Sequence, residues 1–351
     1  MTIKRVILFL VTFIIIADNV VVSCQSRDRV VNLKGKWQFN IGDDMKWALP
    51  SFDAKGWDEI YAPSAWENQG FYGYDGYAWY RKWFYCPVNL QGKSLEMQLG
   101  NIDDVDEAYL NGKLIGGTGF FPPKYKTAYD AWRNYPIPAS YLNYGGNNVI
   151  AIRVFDAEQA GGIVNGELGV YVINDQPVPE LDLSGQWKFM TGDRKEWKKP
   201  DFDDDSWSSI YVPSYWEVQG YQDYDGIAWY RKNFTIPDYM KNKKLVLVLG
   251  KIDDLDETYL NGVQIGSTGN IFFDPTESPL NDYYQKLRGY YIPDGVLLQN
   301  KENVIAVRVY DCYINGGIYS GPVGLMTQEK YSAYWKSHKK KKSFWEWLIK
   351  N

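Results

Sequence analysis

Apolar and polar positions along this chain alternate as they do in strands. Leu95, Met97 and Leu99 are separated by Glu96 and Gln98, the period of two that turns one side of an extended segment toward a core. Lys244 to Leu249, Val149 to Phe155 and Val304 to Tyr310 are β-branched or apolar runs of strand length. Ala108 to Ile115 sets Asn111-Gly112 between two apolar arms. That dipeptide predicts a hairpin, because both central residues of the turn need positive φ. Tyr259 to Ile265 repeats the arrangement around Asn261-Gly262. No helical periodicity stands out before residue 329, so the pattern predicts an all-β chain.

The chain is one module written twice. Leu33 to Trp37 recurs as Leu183 to Trp187, Pro63-Ser64-Ala65-Trp66 as Pro213-Ser214-Tyr215-Trp216, and Gly100 to Glu107 as Gly250 to Glu257, each offset by 150. Beyond Gly119 and Gly269 the offset becomes 155, and Asn148-Val149-Ile150-Ala151 then matches Asn303 to Ala306. The second copy therefore carries five extra residues after Gly269. So long a period exceeds the 20–50 residues of solenoid repeats and means duplication of a whole domain. The polar, Pro-bearing Asn174 to Pro179 is the expected joint. The economical architecture is two tandem jelly-roll β-sandwiches, over 30–175 and 180–328, with a basic aromatic tail at 329–351.

The first 24 residues read as an export signal rather than as fold. Lys4 and Arg5 precede an apolar run from Val6 to Ala17, a charged segment followed by a short hydrophobic one. Val21-Val22-Ser23-Cys24 resembles a bacterial lipobox, in which Cys24 would become the lipidated first residue. The Asp18-Asn19 pair departs from that pattern, and an ordinary secretory signal is the alternative. Either reading places the protein in the exported fraction, and the lipobox reading anchors it to the bacterial cell envelope.

Composition narrows the chemistry. With 38 basic and 43 acidic residues the formal charge is −5, against the basic surplus of nucleic-acid-binding domains. The single histidine is His338, in the tail. The modules thus lack the base of Ser-His-Asp or Cys-His catalysis. Three cysteines are too few for a disulfide framework. Aromatic residues are abundant, with 15 Trp, 29 Tyr and 15 Phe.

Trp37, the Pro63 to Trp66 turn, Trp79-Tyr80-Arg81-Lys82, the Ile102-Asp103-Asp104 to Asn111-Gly112 segment and the strand from Asn148 to Asp156 resemble the galactose-binding-like jelly roll of glycoside hydrolase family 2. The module of sialate O-acetylesterases is similar. The resemblance covers both copies, roughly residues 30–328. It implies a sugar-binding domain whose catalytic carboxylates would sit on a separate barrel. Such a barrel takes about 250 residues, and two sandwiches leave no room for it, so the expected protein is not an enzyme. The resemblance also implies that an Asp just after the last long strand, here Asp156 or Asp311, approaches the sugar. Capping of the following loop is the alternative for both.

Asp103, Asp104, Asp106 and Glu107, with Asp253, Asp254, Asp256 and Glu257, are the densest acidic clusters. Like charges this close need a counterion. Pairing with Arg81, Arg153, Arg231 and Arg308 is one reading, with Arg133 and Arg288 as further partners. A Ca²⁺ held by Asp103, Asp104, Asp106 and by Asp253, Asp254, Asp256 is the second. A hydrogen-bonding edge for sugar hydroxyls is the third. No other cofactor is expected. Tyr72, Tyr74 and Asp75, with Phe71 and Tyr77, lie in a Gly-bracketed turn, and Tyr224 and Asp225 follow the same plan. Phe121 and Phe273 lie in the loops after the hairpins. Aromatic faces stack on sugar C–H faces while carboxylates accept from hydroxyls, so these residues form the candidate glycan site. Trp37, Trp66, Trp79 and their partners Trp187, Trp216 and Trp229 are expected in the core. The tail, basic from Lys339 to Lys342 and then aromatic, suits an anionic membrane surface or a partner groove, with a solvated tail and a short helix docked on the second sandwich as the alternative. The expected function is non-catalytic glycan binding that aids partner hydrolases. A structural envelope protein and a degenerate family 2 hydrolase are the alternatives.

Overall fold

A computed structural model describes residues 27–271 and 282–350. Cys24 and Phe273 lie outside the described residues. The first copy runs β1 (Arg27–Asn32), β2 (Gly35–Ile41), β3 (Asp58–Ala62), β4 (Gly76–Cys86), β5 (Leu95–Asp103), β6 (Val105–Leu110), β7 (Lys113–Thr118), β8 (Trp132–Ile137), β9 (Gly146–Asp156) and β10 (Gly162–Ile173). The second runs β11 (Leu181–Asp182), β12 (Gly185–Thr191), β13 (Ser208–Val212), β14 (Gly226–Phe234), β15 (Leu245–Asp253), β16 (Leu255–Leu260), β17 (Val263–Thr268), β18 (Leu287–Tyr291), β19 (Asn303–Asp311) and β20 (Gly317–Thr327).

Each copy packs a four-stranded sheet, ordered β1-β10-β5-β8 or β11-β20-β15-β18, on a six-stranded sheet, ordered β3-β2-β4-β9-β6-β7 or β13-β12-β14-β19-β16-β17. The named pairings within the sheets are antiparallel. The expected hairpin forms: Asn111 and Gly112 have φ of 51° and 80°, and Asn261 and Gly262 repeat it at 50° and 81°. The Asp103–Asp104 and Asp253–Asp254 peptide bonds are cis.

Between the sheets Trp37, Phe39, Trp66, Tyr80, Leu99, Ile152 and Val154 form one continuous buried core, and Trp187, Phe189, Trp216, Tyr230, Leu249, Val307 and Val309 form the second. Trp79 and Trp229 are buried on the opposite side of the larger sheets. Each indole also donates a hydrogen bond, as buried indoles do: Trp37 to Leu33 O at 2.9 Å, Trp66 to Tyr74 O at 3.1 Å and Trp79 to Asp43 at 3.1 Å, all repeated in the second copy. The loop after β9 lies so close to Trp66 that a Cβ on Gly161 would sit 2.2 Å from its ring, and one on Gly316 would sit 2.1 Å from Trp216. Glycine there lets the loop pack against the indole.

The copies touch directly. Ala139 N–H donates to Asp182 at 2.8 Å, and Tyr141 and Tyr211 meet with ring centroids 6.2 Å apart. The tail forms α1 (Gln328–Lys350). Its first turns dock on the outer face of the second four-stranded sheet, where Tyr331 is buried with Val246, Val248 and Met326 against Leu287. Tyr334 donates to Asp175 O at 2.9 Å, and Lys330 pairs with Glu180 at 2.9 Å. The docked-helix reading therefore describes the start of the tail. No helix among the described residues is long and apolar enough to cross a membrane.

Candidate functional site

Pairing of β10 with β5 and of β6 with β9 brings Asp103 and Asp104, at the end of β5, beside Asp156, at the end of β9. One carboxylate oxygen from each of the three lies within 4.8 Å of the others, and Asp253, Asp254 and Asp311 repeat the cluster. Asp104 accepts from Ala157 N–H at 3.0 Å and from the Thr127 hydroxyl. Asp254 accepts from Cys312 N–H at 3.1 Å. Asp156 is buried, and among the described residues neither of its carboxylate oxygens has a hydrogen-bond partner. Asp311 accepts from Tyr313 N–H at 3.3 Å, but its second oxygen has none. Loop-capping therefore describes half of Asp311 and none of Asp156. Glu67 and Glu217 close each cluster by accepting from Gly161 and Gly316 N–H, at 3.1 and 2.8 Å.

Burial and crowding of like charge raise these groups. Asp156 is pushed up to about 8 by burial and then by the charges of Asp104, Asp103, Glu67 and Asp75. Asp311 is likewise pushed up to about 8, and Glu217 to about 7, chiefly by burial. Asp103 rises to about 7 through burial and its neighbour Asp104. Burial also works to raise Asp104, but hydrogen bonds from Thr127, Tyr125 and Ala157 outweigh it and hold it below the usual range.

Asp106 and Asp256, both named in the expected calcium ligand set, do not join these clusters. Arg133 Nε donates to Asp106 at 2.8 Å with Tyr135 Oη a further 2.8 Å donor, and Arg288 and Tyr290 hold Asp256 in the same way. All four charged side chains are fully buried. Asp156 and Asp311 take the vacated places in the triads. The arginine reading holds for Arg153, which joins Asp43 and Glu107 at 2.5 and 3.2 Å, and for Arg308, which joins Asp193 and Glu257 at 2.6 and 3.1 Å. Arg81 instead donates to the carbonyls of Trp47, Leu49 and Phe52.

The loop aromatics divide. Tyr72 is 82% exposed, and Asp75 and Asp225 are exposed beside the acidic mouths. Tyr74 and Tyr224 turn inward, donating to Tyr77 O at 2.7 Å and Ile227 O at 2.6 Å beneath Trp66 and Trp216. They close their turns rather than face solvent. Phe121 stacks on Tyr77 at 5.9 Å with the Arg153 guanidinium 4.3 Å from its ring, on the wall of a cleft of about 600 Å³ that reaches Glu217 and Gln219 of the second copy.

A second cleft between the copies, of about 380 Å³, is lined by Thr118, Trp132 and Asn134 from the first and by Ser214, Tyr215 and Tyr319 from the second. Trp132 is 61% exposed, and Tyr215 and Tyr319 stack with centroids 4.8 Å apart and planes 2° from parallel. Sequence reasoning missed these three aromatics. The available signal was the difference between copies: Trp132, Tyr215 and Tyr319 align with Leu287, Ala65 and Val164.

Two sandwiches that carry acidic loop mouths and an aromatic cleft are of the accessory β-domain type found in glycoside hydrolase family 2. The family described as the β-galactosidase second all-β domain matches residues 42–160 and 191–312, and the chain belongs to that family. A β-galactosidase of Psychromonas ingrahamii is 30% identical over 108 residues, 24% of this chain and 10% of that protein. A β-galactosidase of Bacteroides ovatus is 25% identical over 147 residues, 38% of this chain and 16% of that protein. The chain thus matches about a tenth to a sixth of the length of these relatives. A solved β-glucuronidase of Bacteroides uniformis is 14% identical, with a TM-score of 0.37, over 84% of this chain and 28% of that one.

Proposed function

We propose that the protein binds glycans without cleaving them and holds them for partner hydrolases. The observation that carries this reading is the inter-copy cleft, where Trp132 and the Tyr215–Tyr319 stack offer flat apolar faces beside the polar groups of Thr118, Asn134 and Ser214. Sugar rings present just this pairing of C–H faces and hydroxyls. The acidic mouths support a non-hydrolytic role. Glycosidases set two carboxyl groups on either side of an open, substrate-filled gap, whereas Asp156 is closed to solvent. The relatives are β-galactosidases and β-glucuronidases, so galactose- and glucuronate-containing glycans are the first ligands to try. The lysine-led apolar segment and Val21 to Cys24 support export and a lipid anchor on Cys24 at the bacterial envelope. Lys339 to Lys342 support a second contact with anionic lipid.

A glycan array followed by calorimetry on its strongest hit tests the reading. Binding is expected, and Trp132→Ala or Tyr319→Ala should weaken it at least tenfold. Absence of binding to every microbial, plant and host glycan would overturn it. Turnover of aryl β-galactosides that is lost in Asp156→Asn would put the hydrolase reading in its place.

A further inference from the structure

We infer that each copy holds one calcium ion, between Asp103, Asp104 and Asp156 in the first and between Asp253, Asp254 and Asp311 in the second. The geometry is that of a shared centre. Oxygens bound to one Ca²⁺ at 2.3–2.6 Å can stand at most about 5 Å apart, and each triad offers three oxygens within 4.8 Å of one another.

Polar accounting points the same way. Buried carboxylate oxygens normally meet a donor or a cation. Among the described residues, those without a hydrogen-bond partner belong to Asp156, Asp311 and Glu217, all at these two mouths. Arg133 and Arg288 are already committed: they are held by Asp106 and Asp256 and donate to the backbone carbonyls of Asp104 and Asp254, at 2.9 and 2.7 Å, rather than to the triad carboxylates. Three carboxylates are a hard, all-oxygen donor set, suited to calcium rather than to a thiolate- or imidazole-seeking metal. Three protein oxygens leave positions for water or for sugar hydroxyls among the 6–8 that calcium takes. The site thus stands whether or not a glycan binds.

The arrangement is built twice, with Ile102 and Val105 flanking the first pair of aspartates and Ile252 and Leu255 flanking the second.

The test is calorimetric titration of the EDTA-treated full chain with CaCl₂. Two ions per chain are expected. Asp156→Asn and Asp311→Asn should each leave one, and the double variant none. Calcium should raise the melting temperature of the wild type and leave that of the double variant unmoved. In EDTA the double variant should melt as the wild type does, because Asn keeps the shape of the carboxyl group that it replaces. This control separates loss of a site from loss of the fold. No calcium heat or melting shift at millimolar concentration would overturn the inference. So would retention of both ions by the double variant, or an equal response to Mg²⁺.

Discussion

Arg231 donates through Nε to Asp204 at 2.6 Å, whereas Arg81, its equivalent in the first copy, has a buried Nε with no acceptor among the described residues. The two guanidinium groups otherwise sit alike, each against three carbonyls and each 5.6 Å from a phenylalanine ring, Phe52 or Phe202. Ala54 stands where the second copy has Asp204. A hydrogen bond to a charged group contributes about 1.5–3 kcal/mol. Asp204→Ala should lower the unfolding free energy of the second sandwich by about that much. Ala54→Asp should raise that of the first by roughly 1 kcal/mol, after the desolvation of the new carboxylate. Calorimetric melting of the two variants beside the wild type checks both signs.

The Asp106–Arg133 and Asp256–Arg288 pairs are structural. Removing one member of a buried pair strands the other charge and costs about 3–5 kcal/mol. Asp106→Ala and Asp256→Ala should therefore melt far below the wild type, by the same margin with or without calcium. Rescue by calcium would return these two aspartates to the ion-binding set.

Acid should loosen the contacts of Asp43 and Asp193. Burial works to raise both, but the hydrogen bonds and charges of Arg153 and Arg308, with the Trp79 and Trp229 indoles, overcome it and hold both below the ordinary value. A carboxylate lowered in the folded state stabilises above its unfolded pKa, about 3.9, and loses that contribution as pH falls through the lower folded value. Chemical denaturation at pH 6 and pH 3 should show the wild type losing more stability than Asp43→Asn or Asp193→Asn. Equal losses would refute the linkage.

Gly289 admits the tail helix. A Cβ there would lie 2.0 Å from the Tyr331 hydroxyl, so Gly289→Asn, the residue at the matching Asn134, should lift α1 from the sheet. Limited proteolysis near Tyr331 should become at least several-fold faster while the sandwiches stay resistant. Unchanged cleavage would show that the helix is held elsewhere.

The strands, the duplication and the buried tryptophans were legible because period-two patterning, Asn-Gly turns and recurring motifs are local. The site was legible only in part. Asp104 and Asp106 look alike in sequence, and their fates diverge because Arg133 crosses to one of them. Tyr72 and Tyr74 sit two positions apart, yet one faces solvent and the other closes a turn through Tyr77. The cleft at Trp132 required knowing how one copy lies against the other, which no single repeat encodes.

The helix-covered face has a last consequence. Val246, Val248 and Met326 lie beneath α1, and the matching positions of the first copy are Glu96, Gln98 and Tyr171. The repeats have thus become non-interchangeable: only the one followed directly by the helix can keep its greasy side dry. Exchanging their order, or splicing in a third unit before the helix, would strand those three side chains in water and invite the molecules to stick together.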